Sequence, residues 1–368
     1  MNILIVTGHF GLGHVSAAHA IKRVLENQHD NLTIEVIDLL EYLSPHTSKK
    51  MYELFNFWTR YTPRLYNRIN AVSCHVNSLP LSKKTFKKLD ALLATHATDI
   101  VISTLPFCTK CMSAFKEMTK RTFPLYTYVT DVVAHEEWLA PCVDEYYVAS
   151  HMTKKWLTSY GVAAEKVRLC GIPLTQELAS APKTSLSEGG ANQKEILIMG
   201  GGLGLIPLER TFYETLSRAQ DVHVTVITGK NRALQEKLEA NFPNFEVVGF
   251  TPEAQRYMKR ASLIVTKPGG ITTLEAISAQ TPLFALKPFL AQEVGNAAFI
   301  CDEQIGRVAQ CGGAELANDV LALVRDDAAL GEYKCAMARL SACWQAEQRR
   351  IATAINEYLR VEEEPTCA

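Results

Sequence analysis

The sequence has no excess of charge of either sign, no long apolar run and no short-period repeat. Its 38 Lys and Arg residues and 39 Asp and Glu residues leave a formal net charge of −1, so any affinity for nucleic acid or anionic lipid must be local. No apolar run approaches the roughly 20 residues that span a bilayer. The apolar N-terminus gives way to Thr7-Gly8 and carries no basic flank, so we expect no signal peptide. These absences favour a cytoplasmic or peripheral protein that does not bind nucleic acid.

The ten cysteines lack the paired spacing of zinc sites and of disulfide frameworks. The one Cys-x-x-Cys, formed by Cys108 and Cys111, has no second pair and no matching set of histidines. Scattered cysteines of this kind are typical of reduced thiols in a cytosolic protein. The sequence therefore predicts neither a structural metal nor a disulfide framework.

What the chain has is enough apolar sequence for two cores and a repeated alternation of strands and helices. It contains 368 residues, of which 47% are hydrophobic and 21% charged, as in a globular protein of about two domains. Short buried runs that alternate with helical periodicity indicate parallel sheets covered on both faces. We therefore expect an α/β protein with two Rossmann-like domains facing across a cleft.

The predicted boundaries follow from a polar stretch at residues 179–193, which is typical of a linker. Residues 1–178 form the first predicted domain and residues 194–345 the second. Residues 346–368 are expected to form a helix and tail that pack back on the first domain.

The stretch at residues 265–279 organises the second domain. An apolar strand breaks at Lys267-Pro268-Gly269-Gly270 and enters a helix whose first turn holds Ile271 and Thr272. Glycines at such a turn let the backbone approach a ligand closely, and the free N–H groups of a helix start suit a phosphate. Glu275, about one turn further on, is placed to accept hydrogen bonds from a ribose. The alternative is a tight turn with a solvated glutamate, but the polar residues at 292–296 favour the ligand site.

A second glycine-rich turn lies near the N-terminus, where an apolar strand runs into Gly11, Gly13 and His14 and then into a helix. The glycine spacing does not fit the dinucleotide fingerprint and is a weak signal on its own. His14 falls in the first turn of the helix, where the helix dipole disfavours an imidazolium. We therefore expect a neutral histidine able to take a proton; the alternative is a capping or surface histidine.

A strand that ends in Thr130-Asp131 continues into His135 and Trp138. Polar residues at the carboxyl end of a strand lie where open α/β sheets bind ligands. Asp131, His135 and Trp138 are therefore a candidate acceptor pocket. The alternative is a helix N-cap at Asp131 with a surface histidine.

Residues 51–69 and 81–89 combine aromatic, apolar and basic side chains. Such segments suit a lipid headgroup interface, into which an apolar face dips; the alternative is a pair of ordinary surface helices with solvated lysines. Pro63 indicates that the first segment is a broken helix or a helix pair. The side chains concerned, with one aromatic just before the first segment, are Tyr42, Tyr52, Phe55, Phe57, Trp58, Arg60, Tyr61, Arg64, Tyr66, Arg68, Leu81, Lys83, Lys84, Phe86, Lys87, Lys88 and Leu89.

Three separated motifs occur in a specific order: Gly11-Leu12-Gly13-His14, then Asp131 with His135, then Thr-Lys-Pro-Gly-Gly followed by Glu275 and by Gln292-Glu293 with Asn296. Over residues 2–299 this order resembles the bacterial processive diacylglycerol glucosyltransferase and plant monogalactosyldiacylglycerol synthase family. That family is glycosyltransferase family 28-like and has a GT-B fold. One departure is Ala291, where the family usually has glycine; it alters a loop and no reacting group.

The resemblance implies that the C-terminal half binds a UDP-sugar and the N-terminal half a lipid acceptor. Gly249 and Phe250 would lie beside the uracil, Glu275 would bind the ribose, and the helix start at residues 269–272 would hold the diphosphate. Amide and carboxylate side chains at 292–296 would bind the sugar hydroxyls. The substrate-binding residues expected are Gly11, Gly13, His135, Trp138, Gly200, Gly201, Gly202, Gly249, Phe250, Gly269, Gly270, Ile271, Thr272, Glu275, Gln292, Glu293 and Asn296.

The implied reaction moves a hexose from UDP-glucose or UDP-galactose to a hydroxyl group of diacylglycerol or a related lipid, with inversion at the anomeric carbon. A base must take the hydroxyl proton while UDP leaves; His14 is the first candidate and Asp131 the second. The helix dipole and N–H groups would meet the leaving-group charge, and the sequence has no Asp-x-Asp metal motif, so no metal or other cofactor is expected. The enzyme would be peripheral, on the anionic inner face of the plasma membrane.

Two alternatives stay open. A non-hydrolysing UDP-GlcNAc 2-epimerase shares the two-domain cleft, but it needs no lipid-facing aromatic helix. A catalytically inactive UDP-sugar-sensing membrane protein would keep nucleotide binding without transfer. The intact Gly269, Gly270, Glu275 and Gln292 argue against such decay.

Overall fold

The computed structural model divides the chain into two compact units. The first comprises Met1–Thr175 with Ala342–Ala368, and the second comprises Gln176–Ser341. The structure describes residues 1–10, 13–28, 31–61, 82–172, 193–202, 204, 206, 209–288 and 291–363, with the backbone alone at 28, 55–61, 291–292 and 348–363. The predicted linker, except Gln193, lies outside these residues, as do residues 62–69 of the aromatic segment.

The first unit contains a parallel sheet. Its strands are β1 (Asn2–Thr7), β2 (Thr33–Asp38), β3 (Ile100–Ser103), β4 (Leu125–Tyr128), β5 (Glu145–Val148) and β6 (Val167–Leu169). They are ordered β2-β1-β3-β4-β5-β6, with Ile3 opposite Ile100 across the β1–β3 pair. The strand order reverses between β1 and β3. The carboxyl ends of these two strands therefore form the crevice where an open α/β sheet binds ligands.

Helices cover this sheet because its central strands are apolar on both faces. They are α1 (Gly13–Gln28), α2 (Leu39–Leu43), α3 (Pro45–Tyr61), α4 (Lys83–Thr95), α5 (Pro106–Thr119) and α6 (His151–Ser159). Leu4 and Val6 point into one core cluster with Phe115, while Ile3 and Ile5 point into another with Ile21. Successive residues of one strand thus fill both layers.

The second unit also contains a parallel sheet. Its strands are β7 (Lys194–Met199), β8 (Val222–Ile227), β9 (Glu246–Val248), β10 (Leu263–Thr266), β11 (Leu283–Ala285) and β12 (Gly306–Val308). Their order is β12-β11-β10-β7-β8-β9, with Val265 opposite Ile198. The order reverses between β7 and β10, so the ligand crevice expected of this sheet lies where these two strands end.

The helices of the second unit alternate with its strands, as the sequence predicts. They are α7 (Arg210–Ser217), α8 (Arg232–Asn241), α9 (Ala254–Arg260), α10 (Gly270–Ala279), α11 (Ala291–Asp302), α12 (Gly313–Arg325) and the first part of α13 (Asp327–Glu363). The predicted α/β class with two Rossmann-like sheets is confirmed. None of the described helices is both long and apolar enough to cross a membrane.

The last helix brings Trp344 onto the first sheet. Its indole nitrogen donates to the carbonyl oxygen of Ala149 at 3.0 Å. Gly171 has φ +62°, and a Cβ atom there would lie 2.7 Å from the Trp344 ring. A glycine is therefore required at this position both by its backbone conformation and by the tryptophan.

One interpretation of the basic helix α4 is wrong. Leu89 is fully buried and Phe86 packs against the same core, so these side chains do not face lipid. Lys88 is also structural, because its ammonium donates to the carbonyl oxygen of Leu43 at 2.9 Å. Of the four lysines of α4, Lys83, Lys84 and Lys87 are exposed, on the faces of the helix that point away from the core.

A charged network near the amino ends of the second sheet gives a stability prediction. Arg260 donates to Glu195 at 2.7 Å and to Glu246 at 2.5 Å. We expect Arg260→Met to lower the free energy of unfolding by about 2 kcal/mol, because it leaves the nearly buried Glu195 carboxylate without this cation in a partly solvated site. The measurement is urea unfolding followed by circular dichroism.

Arg256→Met is the matched control for this prediction. Arg256 lies on the same helix but forms an exposed pair with Glu253, which is worth at most about 1 kcal/mol. Equal unfolding midpoints for the two variants would contradict a stabilising role for the network.

Candidate active site

At the switch point of the first sheet, His14 lies in the first turn of α1, beside the end of β3. Its Nδ1 lies 3.0 Å from the carbonyl oxygen of Thr104 and 2.7 Å from the hydroxyl of Thr130. The Thr104 hydroxyl in turn donates to the backbone oxygen of His14 at 3.1 Å. The carboxyl ends of β3 and β4 thus hold the ring in one orientation.

These contacts select one tautomer of His14. A carbonyl oxygen only accepts hydrogen bonds, so Nδ1 carries the proton and Nε2 keeps a lone pair. Burial lowers the pKa of His14, although the negative charge of Asp131 and the hydrogen bond to Thr104 act in the opposite direction. The imidazole is therefore neutral near pH 7, the state required of a base. The neutral state of His14 results mainly from burial, whereas the sequence analysis attributes it to the helix dipole.

Asp131, His135 and Trp138 come together directly after β4. Asp131 Oδ2 lies 3.3 Å from His135 Nε2 and accepts from the Trp138 indole at 3.0 Å. Burial opposes the charge on Asp131, but the hydrogen bond and charge of His135 outweigh it, so the pKa of Asp131 lies below its usual range. Burial likewise opposes charge on His135, yet Asp131 raises the pKa of that histidine. A carboxylate held in this way is a weaker base than His14.

A polar cluster at the end of β2 was not found from the sequence. The Asp38 carboxylate accepts from the Tyr52 hydroxyl at 2.7 Å and lies 2.6 Å from His9 Nδ1. Asp38 also caps α2 by accepting from the Glu41 amide. The cluster links α3 to the carboxyl end of β2. His14, at the start of α1, lies at the same end of the sheet. The available signal was that Asp38 ends a strand, as Asp131 follows one.

In the second unit, the glycine turn after β7 contacts the glycine turn after β8. Gly201 and Gly229 have φ +66° and +55°, and a Cβ atom on Gly229 would lie 2.6 Å from the Gly202 oxygen. The Lys230 amide donates to that same oxygen at 3.0 Å. Gly200, Gly201 and Gly202 therefore place bare backbone at the switch point, as expected of a ligand-binding turn.

The turn between β10 and α10 offers free helix-start amides. Gly269 is the N-cap of α10, and no side chain of the described residues caps this helix start. The space where a Gly269 side chain would lie is open, with the nearest atom, Thr272 Oγ1, at 3.8 Å. The described protein atoms do not require a glycine there, so a ligand can occupy that space. The N–H groups that follow, at Gly270, Ile271 and Thr272, suit an anion.

Helix α11 holds this turn through two buried polar side chains. Glu293 Oε1 lies 3.1 Å from the Lys267 ammonium, and Asn296 donates from Nδ2 to the Pro268 carbonyl oxygen at 3.0 Å. Glu293 and Asn296 are 2% and 1% exposed. The sequence assigned both to sugar hydroxyls, whereas these contacts are with the turn. Asn296 Oδ1 has no partner within the described parts of the chain, which leaves one acceptor for a ligand donor.

Glu275 lies one turn inside α10, next to the buried Leu274 and Ala276. Burial raises the pKa of its carboxyl group to about 7, and a hydrogen bond with Gln255 opposes this only in part. A carboxyl group with this pKa ionises readily once a ligand offers donors. The sequence located the residue but gave no sign of its pKa.

Phe250 follows β9 at the edge of the second sheet and is among the exposed large apolar residues. The Lys230 ammonium lies 5.7 Å from the centre of its ring. An exposed aromatic ring at a carboxyl edge suits stacking with a nucleobase. A Cβ atom on the neighbouring Gly249 would lie 2.9 Å from Gln235 Oε1.

Two predicted ligand residues are not placed by these observations. Gly11 lies outside the described residues, and of Gln292 only the helical backbone is described.

Among the side chains that the structure describes, no group of three or more His, Cys, Asp or Glu residues is arranged to hold a metal ion. Cys108 and Cys111 are free and buried, and burial raises the pKa of Cys111 to about 12.

Each unit matches a different family model. Residues 14–174 match monogalactosyldiacylglycerol (MGDG) synthase, and residues 195–329 match the glycosyltransferase family 28 C-terminal domain. The first unit thus matches monogalactosyldiacylglycerol synthase, and the second matches the family 28 glycosyltransferases. The His14 and Asp131 clusters fall in the synthase match, and the glycine turns of β7 and β10 fall in the family 28 match.

Curated relatives agree with these two matches along most of the chain. The processive diacylglycerol beta-glucosyltransferase of Bacillus licheniformis is 29% identical over 90% of this chain and 89% of its own. The protein of the same name from Bacillus subtilis (strain 168) is 28% identical over 90% and 89%. The predicted family and the glycosyltransferase class are therefore confirmed.

Solved structures share the fold at low sequence identity. The kitacinnamycin glycotransferase has a TM-score of 0.65 at 14% identity and covers 97% of this chain and 98% of its own. Acinetobacter baumannii MurG has a TM-score of 0.59 at 14% identity, with 97% and 99% covered. These similarities confirm the GT-B fold class.

Proposed function

We propose that the protein transfers a hexose from a UDP-sugar to a hydroxyl group of diacylglycerol or a related membrane lipid, with inversion at the anomeric carbon. The observation that carries the proposal is the neutral His14, whose Nδ1 is held by Thr104 and whose Nε2 keeps its lone pair. The names of the curated relatives support diacylglycerol as the acceptor and glucose as the first sugar to test.

In the proposed reaction, His14 Nε2 takes the proton of the lipid hydroxyl as its oxygen attacks the anomeric carbon. The bond between that carbon and the β-phosphate oxygen breaks, and UDP leaves with the electron pair. The negative charge of Asp131 favours the imidazolium that forms on His14. Asp131 itself is bound by His135 and Trp138, so we assign it an electrostatic role and His14 the proton transfer.

The donor half of the proposal rests on the second unit. The uncapped start of α10 and the bare backbone at Gly200–202 suit the diphosphate, and Glu275 suits the ribose hydroxyls. Phe250 is proposed to stack on the uracil. No metal or other cofactor is part of this proposal, because N–H groups and the helix dipole are available for the leaving-group charge.

The test is a donor and acceptor screen with the full-length protein. UDP-glucose, UDP-galactose and UDP-GlcNAc are each incubated with vesicles that contain diacylglycerol, and lipid products are identified by mass spectrometry, with the anomeric configuration read by NMR. A β-hexosyl lipid is expected. Conversion of UDP-GlcNAc to its 2-epimer without lipid product would favour the epimerase, and UDP binding without any product would favour an inactive sensor.

We further propose that the protein is peripheral at the inner face of the plasma membrane and contacts it through α3. Met51 and Leu54 are each 45% exposed on α3, and the neighbouring Lys49 and Lys50 are exposed as well. Apolar side chains beside lysines suit the headgroup region of an anionic bilayer.

The double variant Met51→Ser/Leu54→Ser is expected to weaken binding to vesicles with anionic lipid about tenfold, because partial burial of two such side chains is worth on the order of 1–2 kcal/mol. Vesicle sedimentation measures the affinity. Met118→Ser is the control, since Met118 is 61% exposed on another helix. Equal vesicle affinity for all three proteins would exclude α3 as the contact.

A further inference from the structure

The ion pair between Lys267 and Glu293 lies beside the proposed diphosphate site. Lys267 is the first residue after β10, and its ammonium lies 3.1 Å from Glu293 Oε1. Its Cε lies 3.8 Å from the space that a Gly201 side chain would fill. The lysine side chain therefore extends across the switch point, from the turn before α10 to the glycine turn after β7.

Fold stability alone gives a weak reason for this pair. Glu293 is 2% exposed and Lys267 23% exposed at its side chain, and taking two such charges out of water offsets most of their attraction. Apolar residues of similar size are often as stabilising at such positions. A buried carboxylate that fixes a cation at one point is instead expected where the position of the cation matters.

The chemistry of this position identifies what the cation meets. The helix-start amides of α10 follow Lys267 by three to five residues in sequence and suit the same anion. A lysine ammonium carries three donors, so an ammonium that is bound to Glu293 can also donate to a phosphate oxygen. When the bond to the sugar breaks, the diphosphate gains one negative charge, and a fixed cation stabilises that charge more in the transition state than in the bound donor.

We propose that Lys267, held in place by Glu293, binds the diphosphate of the donor nucleotide and stabilises the charge of the leaving UDP. Glu293 is then a positioning residue for the lysine, where the sequence assigned it to the sugar. This inference rests on the proposed function. It adds a side-chain cation to the helix-start amides as the means of stabilising the leaving group.

The experiment compares ligands that differ only in phosphate. Calorimetry measures the dissociation constants of UDP and uridine for the full-length wild type and for Lys267→Met. We expect UDP to bind about 30-fold more weakly to the variant, since a charge-assisted contact is worth about 2 kcal/mol. Uridine affinity is expected to change less than twofold. With UDP-hexose and lipid, kcat is expected to fall by more than KM rises.

Two further variants protect the test from a folding artefact. Lys267→Met leaves the Glu293 charge buried without this partner, so the double variant Lys267→Met/Glu293→Gln is also measured against Glu293→Gln. A selective loss for UDP over uridine is expected again, but one smaller than about 30-fold, because Glu293→Gln no longer holds the lysine in place. Lys237→Met removes an equal charge from an exposed position of α8 and is expected to leave UDP affinity unchanged.

The possible outcomes separate the two proposals. An unchanged UDP affinity in Lys267→Met, or equal losses for UDP and uridine, would overturn the role of Lys267 and leave the transferase proposal standing. A wild-type protein that binds neither UDP nor uridine would instead overturn the proposed function.

Discussion

Replacing His14 with alanine is expected to lower the turnover of hexose transfer about 10³-fold. A positioned general base contributes roughly 10²–10⁴-fold to such a reaction, and His14 is held with Nε2 as the free acceptor by the Thr104 carbonyl oxygen and the Thr130 hydroxyl. Burial keeps its pKa below the usual range, so the basic form predominates near pH 7. The measurement is the initial rate at saturating donor and acceptor.

The affinity for UDP is expected to change less than twofold in the same variant. His14 belongs to the first unit, whereas the proposed nucleotide site is built from the second. His19→Ala is the matched control, because His19 lies on the same helix and is exposed; it should leave turnover unchanged. An undiminished rate in His14→Ala would remove this histidine from the base role and direct attention to Asp131.

The sequence was most informative where function depends on local backbone. Apolar runs that end in glycine identify both switch-point turns, because a parallel strand buried on both faces is continuously apolar and a close ligand approach needs residues without a side chain. The glycines at 200–202 and 269–270, the helix start after them and the position of His14 are all visible in this way. Each of these features is set by neighbours in sequence.

Contacts across the sheet were not predictable, because the sequence does not state the strand order. His14 contacts Thr104 only because β1 lies next to β3. In the same way, Lys267 reaches toward Gly201 because β10 lies next to β7.

The side-chain pattern of α4 was misread for a related reason. Phe86 and Leu89 beside lysines fit a lipid surface as well as a core, and only the packing distinguishes the two.

Replacing Glu275 with alanine is expected to weaken UDP binding about 100-fold at pH 8. The proposed ribose contacts are hydrogen bonds from two hydroxyl groups to a carboxylate, and hydrogen bonds to charged groups are worth about 1.5–3 kcal/mol each. The helix start at Gly269 would continue to bind the diphosphate, so some UDP affinity remains. Calorimetry with UDP and with UDP lacking both ribose hydroxyls measures the effect, and the wild type and the variant should bind the second ligand equally.

The raised pKa of Glu275 adds a pH dependence with a defined sign. Because the ionised carboxyl group accepts the hydroxyls and its pKa in the free protein is about 7, UDP binding by the wild type should weaken as pH falls from 8 to 6. The free protein should show the opposite trend in stability: folding raises this pKa, so the contribution of Glu275 is most favourable at acid pH and is lost as pH rises through 7.

Glu275→Gln separates these two effects. It should be more stable than the wild type at pH 8, since it does not bury a charge, and yet bind UDP more weakly there and with less dependence on pH. Glu236→Ala, at an exposed position of α8, should change neither property. If Glu275→Gln bound UDP as tightly as the wild type at pH 8, the carboxylate would not be the ribose ligand, and its raised pKa would reflect burial alone.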